Sequence, residues 1–364
     1  MTFSINLSSL NGSNGFRLDG AAYTGSGDSV SNAGDVNGDG FDDVIVGASS
    51  AYYNGYYSGS SYVVFGKTSG FNAIMDLSSL DGSNGFRLDG AEYSNSGISV
   101  SNAGDVNGDG FDDVIVGAYG ADPNGTSSGS SYVVFGQASG FSATMDLSSL
   151  NGSNGFRLDG VTEGDFSGNS VSNAGDVNGD GFDDLIVGAL GADPNGFYSG
   201  SSYVVFGKAS GFSAAMNLSS LDGSNGFRLD GVARFDNSGR SVSTAGDVNG
   251  DGFDDLIVGA PRAELNSNDS GSSYVVFGQA SGFSAAMNLS TLNGSNGFRL
   301  DGETAYDILG NSVSTAGDVN GDGFDDLIVG AAYANSNGAD SGSSYVVFGQ
   351  ASGFSATMDL SSLN

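Results

Sequence analysis

Five times along the chain the string Gly-Asp-Val-Asn-Gly-Asp-Gly-Phe-Asp-Asp recurs, with its first Asp at Asp35, Asp105, Asp176, Asp247 and Asp318. Counted from that Asp, oxygen-bearing side chains stand at loop positions 1, 3, 5 and 9, with Gly at position 6. Hard cations such as Ca²⁺ take six to eight oxygens, and a short loop that turns its side chains inward can gather them around one centre. Position 3 is Asn37, Asn107, Asn178, Asn249 and Asn320, and position 5 is Asp39, Asp109, Asp180, Asp251 and Asp322. Position 9 is Asp43, Asp113, Asp184, Asp255 and Asp326, while the position-7 carbonyl belongs to Phe41, Phe111, Phe182, Phe253 and Phe324. Gly40 and its equivalents permit the positive φ of a sharp turn. Asp42, at position 8, is expected to point away and add only field.

The competing reading is a tight turn rich in Asp and Asn. Three carboxylates in one small loop repel one another when no cation is present, and here that would happen five times over. The spacing therefore favours Ca²⁺, about one ion per loop and five in total. It departs from an EF-hand, because the bidentate Glu of position 12 is replaced by Val46 and a strand follows. Mg²⁺ demands stricter octahedral geometry and fits less well.

The loops repeat at spacings of 70, 71, 71 and 71 residues. Around each lie short β-branched or aromatic runs bounded by Gly, Asn, Asp and Ser, which are strand signals. In the first unit these runs are Ser29–Ala33, Val44–Ala48, Tyr62–Phe65 and Phe86–Asp89. No segment holds a 3.6-residue apolar period, and Asp76–Leu80 allows at most a single helical turn. Four-stranded units repeated five times predict an all-β fold, a five-bladed β-propeller of four-stranded antiparallel blades. The expected organisation is one domain over 1–364, with blades at about 25–90, 95–160, 166–231, 237–302 and 309–348. The last unit lacks a following Phe-Arg-Leu-Asp, so residues 16–20 are expected to supply its fourth strand and close the ring. A linear solenoid or five separate small domains is the alternative, but units of this size without staples would be marginal alone.

Acidic residues number 42 against 10 basic ones, for a net charge of −32. Nucleic acid and anionic membrane surfaces need clustered Lys and Arg, so neither is an expected partner. The absence of Cys and His excludes disulfides, thiolate chemistry and His-based triads. No apolar run is long enough for membrane insertion, and Met1–Leu7 lacks the basic and apolar regions of a cleaved secretory signal.

The pattern Asp-x-Asn-x-Asp-Gly-x-x-Asp, followed by an apolar strand and Val-Gly-Ala, resembles the FG-GAP repeat of integrin α-subunit heads and many bacterial surface proteins. The likeness covers all five units. It implies calcium in the loop between strands 1 and 2 of each blade. It also implies adhesion or recognition outside the cell, and so an extracellular or cell-surface location.

Two segments differ among the copies: those between Leu-Asp-Gly and Ser-Val-Ser, and those between the second and third strands. In an up-and-down sheet both fall on the face opposite the acidic loops. Ten of the 15 tyrosines lie there, including Tyr23, Tyr52, Tyr53, Tyr56 and Tyr57, together with Arg234, Arg240 and Arg262. Drift in exposed loops explains the variability but not the tyrosines, which supply rigid amphipathic contact area. This face is the candidate site for a protein or glycan ligand. A purely structural spacer or lattice protein is the alternative. A hydrolase or lyase is a more distant one, since the four Glu residues sit on different units and form no unique constellation. The repeated Arg of Phe-Arg-Leu-Asp is expected to pair with a nearby Asp. Nothing in the pattern fixes an oligomeric state, and a monomer is the simplest expectation.

Overall fold

The computed structural model describes residues 6–209, 211–264, 268–280 and 282–360. Its regular elements are β-strands and single turns of 3₁₀ helix. In the first unit the strands are Ser29–Gly34, Asp43–Ala48, Ser60–Val64 and Gly85–Asp89. They pair antiparallel in chain order, with Val30 opposite Val46, Val46 opposite Tyr62 and Tyr62 opposite Arg87. Each of the four runs read from the sequence is therefore a strand. The single turn read at Asp76–Leu80 is a 3₁₀ turn, Leu77–Ser79, capped by the Asp76 side chain on Ser78 N–H.

A fifth strand was not legible. Thr144–Asp146, in the connection between the third and fourth strands of the second unit, reaches back to the first unit and pairs in parallel with Arg87–Asp89. Ala215–Asn217, Ala286–Asn288 and Thr357–Asp359 make the same strap to the unit before them. Each strap is anchored by stacked rings. Phe141 lies on Phe86 at 4.4 Å, and Phe65 packs against both. Phe156 with Phe212, Phe227 with Phe283 and Phe298 with Phe354 repeat the stack.

The core lies between sheets. Ile45, Val63, Phe86 and Leu88 of the first unit pack with Val100, Val114 and Val116 of the second in one buried cluster. Equivalent clusters fill the next three seams. The middle second strands, such as Asp113–Ala118, are accordingly buried on both faces. The sheets are thus blades, each covering one face of the next.

The expected completion of the fifth blade by residues 16–20 is not in place. Arg17–Asp19 pairs in parallel with the first unit's own strap, Ile74–Asp76. The last sheet has three strands among the described residues, Leu309–Gly317, Asp326–Ala331 and Ser343–Val347. Apolar side chains are exposed at both ends: Val30 is 67% exposed where its equivalent Val100 is 5%, although Val46, Tyr62 and Val64 beside it are buried under the strap. The physical reason is a competing local partner: Arg17–Asp19 takes the strap Ile74–Asp76 as its neighbour, and Phe16 stacks on Phe71 at 4.4 Å.

Phe156 is buried between strap and strand, whereas the equivalent Phe16 is half-buried at the free end. Phe156→Ala is expected to cost about 3–5 kcal/mol, and Phe16→Ala markedly less. Denaturant unfolding of the two variants in dilute protein checks this, and equal losses would contradict the end assignment.

Candidate metal loops and the variable face

Each acidic loop links the first and second strands of its blade and folds its oxygen side chains onto its own backbone. Asp35 Oδ1 accepts from Asp39 N–H at 3.0 Å and its Oδ2 from Gly40 N–H at 2.8 Å. Asn37 Oδ1 accepts from Asp39 N–H at 2.8 Å, and Asp39 Oδ1 from Phe41 N–H at 3.0 Å. Asp43, only 1% exposed, accepts from Val36 N–H at 3.1 Å and from Gly66 N–H at 2.7 Å. The same set holds at Asp105 and Asp113, at Asp176 and Asp184, at Asp247 and Asp255, and at Asp318 and Asp326.

The structure therefore brings positions 1, 3, 5 and 9 into one small loop, but through backbone amides. Among the described residues, no three carboxylates stand close enough together to form a metal-holding group by themselves. The donor set nevertheless suits a hard cation, since it is all oxygen. Electrostatics point the same way. Burial first, and then the charges of its neighbours at positions 5 and 1, push the position-9 carboxyl up. It rises to about 7 at Asp43 and to about 8 at Asp113, Asp184 and Asp255. A buried carboxylate facing two others lacks a counter-charge.

The expectation that the position-8 Asp merely adds field is corrected. Asp112 Oδ2 accepts from Asp35 N–H of the preceding blade at 2.7 Å, and Asp183, Asp254 and Asp325 do the same across the next seams. The Phe111 ring also crosses the seam, onto Gly38. A Cβ at Gly38 would collide with that ring, and one at Gly34 with the Asp112 carboxylate. Both glycines also hold positive φ, +70° and +71°, so two independent demands select glycine. A sequence signal for this bridge existed in the invariance of Phe-Asp in all five copies, though nothing in it named the partner.

On the opposite face, Tyr52 packs edge-on to Tyr56 and tilted on Tyr57, and Tyr56 stacks near Tyr93 at 6.4 Å. All four are exposed. Their loops are tied together by backbone bonds from Tyr93 N–H to Tyr56 O at 2.8 Å and from Asn95 N–H to Tyr57 O at 2.9 Å. Tyr53 plays a different part: Arg87 lies over its ring at 3.7 Å, and Tyr62 donates to its hydroxyl. Tyr23 projects from the free end of the first blade, 91% exposed. The three arginines do not form one group. Arg240 and Arg262 line a cleft of about 450 Å³ with Tyr198, Pro261 and Tyr333, whereas Arg234 lies over Phe235 at 4.4 Å. Tyr93, Tyr198 and Tyr333 are thus site candidates that sequence reasoning did not single out. The repeated arginines are structural, as expected: Arg87 grips Asp89 with two bonds of 2.8 Å, and its four equivalents make the same grip.

The FG-GAP repeat matches this chain at residues 26–64, 96–134, 167–205, 238–276 and 309–347. Integrin alpha-PS5 of Drosophila melanogaster is 34% identical over 175 residues, 46% of this chain and 15% of its own length. Integrin alpha pat-2 of Caenorhabditis elegans is 30% identical over 252 residues, 66% of this chain and 18% of its own. Phosphatidylinositol-glycan-specific phospholipase D of Bos taurus is 32% identical over 169 residues, 46% of this chain and 19% of its own. The match therefore spans under a fifth of each relative.

The raised position-9 carboxyls fix a pH dependence. Their folded pKa values lie above the unfolded value of about 3.9, so the unfolded chain releases these protons first as pH rises. Metal-free protein should therefore lose stability between about pH 4 and pH 8 and level off above. Melting curves in chelator across this range should show the fall, and Asp113→Asn should make it shallower. A melting temperature that rises over the same range would contradict the assignment.

Proposed function

This chain belongs to the FG-GAP repeat family, and we propose that it is a calcium-stabilised recognition module of the extracellular or cell-surface kind, binding a protein or glycan through its variable loop face. The observation that carries this reading is the group of exposed tyrosines at 52, 56, 57 and 93, held on loops whose backbones are bonded to each other. Rings fixed in this way lose little freedom on binding, and each offers an apolar body with a polar tip. The cleft at Arg240 and Arg262 adds a local positive charge on a chain of net −32, suited to an acidic group on the same ligand. The integrin α relatives support adhesion or recognition over catalysis. The phospholipase D relative shows that the repeats also accompany an enzyme, but they cover under a fifth of it. Here the acidic loops recur in five copies rather than forming one distinct constellation.

Calcium would be held by the side chains at positions 1, 3, 5 and 9 and by the position-7 carbonyl of each loop, from Asp35, Asn37, Asp39, Phe41 and Asp43 onward. It would supply the counter-charge that the buried carboxylates lack. At ten times a dissociation constant near 10⁻⁴ M, each site contributes roughly 1.4 kcal/mol, and five about 7. That is comparable with the whole stability of a domain, about 5–15 kcal/mol. Removal of calcium by chelation should lower the melting temperature sharply. An unchanged curve on protein shown to be metal-free would refute the metal assignment.

For the ligand, protein and glycan arrays probed with and without calcium identify the partner class. Replacing Tyr52 and Tyr56 with Ser and Tyr93 with Asn, which tolerates its positive φ, should abolish binding and leave melting intact. Tyr53 is kept because it supports Arg87. Binding that survives this change but is lost in Arg240→Ala/Arg262→Ala would move the site to the cleft. No binding on any array would favour the structural spacer.

A further inference from the structure

The chain has 10 basic residues, and most are already engaged. The five arginines of Phe-Arg-Leu-Asp each grip an Asp. Lys67 and Lys208 lie over the rings of Phe71 and Phe212, and Arg234 over that of Phe235. Arg240 and Arg262 are the two with neither an ion pair nor a ring beneath them among the described residues. These two line the same cleft of about 450 Å³.

They reach it from different loops of the fourth blade. Arg240 stands directly before the first strand, Ser241–Gly246, and Arg262 just after the second, Asp255–Ala260. No other copy has a cation at either place. The equivalents of Arg240 are Asp28, Ile98, Asn169 and Asn311, and those of Arg262 are Ser50, Gly120, Gly191 and Tyr333. Drift on a chain of net charge −32 gives no reason for both uncommitted guanidiniums to share one opening.

The backbone beneath both is fixed. Arg240 N–H donates to Asn237 O at 3.1 Å, and its carbonyl accepts from Asn169 Nδ2 at 3.3 Å. Arg262 follows Pro261, whose ring restricts the chain before it, and its N–H donates to Asp236 O at 3.3 Å. Tyr198 is a half-buried wall of the cleft, its ring braced by Phe197 at 4.5 Å and Phe166 at 6.3 Å. Tyr333 adds a second, exposed ring.

We propose that this cleft seats one acidic sugar unit, its carboxylate or sulfate held by the two guanidiniums and its ring against Tyr198 and Tyr333. The inference rests on the reading of this face as a recognition surface and names the ligand for it. Guanidinium forks match such oxyanions, and a tyrosine ring offers an apolar body to a sugar with a polar tip beside it. Asn237 donates Nδ2 to Leu190 O, which leaves its Oδ1 for a sugar hydroxyl. The volume falls within the range of small-molecule sites, about 300–1,000 Å³.

An acidic peptide fits less well. Extended peptides commonly dock through main-chain bonds, and the amides of Asn237, Arg240, Arg262, Ile308 and Tyr333 already donate to carbonyls of these loops. The net charge repels a long polyanion, so a short acidic saccharide is favoured.

Calorimetric titration of the full chain in calcium tests this with digalacturonate, its carboxyl-reduced counterpart, a sulfated disaccharide and an acidic peptide of the same charge. At least one acidic sugar should bind at one site per chain, about tenfold or more tighter than the neutral counterpart; the stronger of the two identifies the anion. Arg240→Gln and Arg262→Gln, at exposed positions, should each weaken that binding about tenfold or more with melting unchanged. Tyr52→Ser/Tyr56→Ser, on the first blade, should leave it intact. Binding undiminished in both Gln variants overturns the proposal, as does equal binding of the neutral sugar, tighter binding of the peptide, or loss in the tyrosine variant. If neither acidic sugar binds while another ligand binds through Tyr52 and Tyr56, this proposal falls and the recognition reading stands. No ligand of any kind removes both.

Discussion

A sheet whose second strand is apolar on both faces cannot bury that strand alone. Asp113–Ala118 meets this by taking one neighbour on each side, and every other feature of the chain is arranged around the resulting seam. The unit repeats because the face that one blade offers must be the face that the next requires. The strap exists because the fourth strand would otherwise be an open edge. By sending Thr144–Asp146 back to Arg87–Asp89, each blade covers its predecessor's edge and ties the two together outside the apolar seam. The phenylalanine stack beneath the strap gives that tie a packed anchor.

The seam also passes through the acidic loops. Asp112 and Phe111 belong to the loop of one blade, yet they touch the backbone of the loop before it. A loop that changes its geometry, for instance by gathering carboxylates around a cation, must therefore move against its neighbour. The geometry of one loop is mechanically coupled to the next through an amide-to-carboxylate bond and a ring resting on a glycine. This gives a physical reason for the invariance of the whole ten-residue string, beyond its oxygen-bearing positions: Phe and the position-8 Asp that follows it serve the seam, Gly38 accommodates the ring, and the remaining oxygens order the loop.

How far the sequence could be read follows from the same geometry. The four main strands were legible because Val, Ile, Tyr and Phe cluster in runs broken by Gly and Asn. The loop was legible because its spacing is fixed within one short segment. The strap was not, since Ala-Thr-Met carries no alternation over three residues and its partner lies in another unit. The role of Asp112 was hidden for a related reason: position 8 has no partner within its own loop, so local reasoning sends it to solvent. The split among the arginines was equally out of reach. Arg234 and Arg240 have no strand between them, yet Arg240 shares its cleft with Arg262, which lies beyond the strands Ser241–Gly246 and Asp255–Ala260. Ring closure was read from a count of strands, and a count does not show which neighbour Arg17–Asp19 takes, here the strap Ile74–Asp76.

The division of labour between the two faces is the last consequence. One face carries the loops that bridge seams, so a substitution there disturbs two blades at once and all five copies stay alike. The other face carries connections that bond to one another through backbone atoms, as Tyr93 does to Tyr56. Backbone bonds of that kind hold a loop whatever side chain it bears, so side chains there are free to differ from blade to blade without cost to the seam. An array of near-identical units can thereby present an asymmetric surface, with tyrosines clustered at the first and second blades and arginines in a cleft towards the fifth. Asymmetry is what a repeat protein needs to recognise one ligand in one orientation, and this fold supplies it only on the face that its packing leaves free.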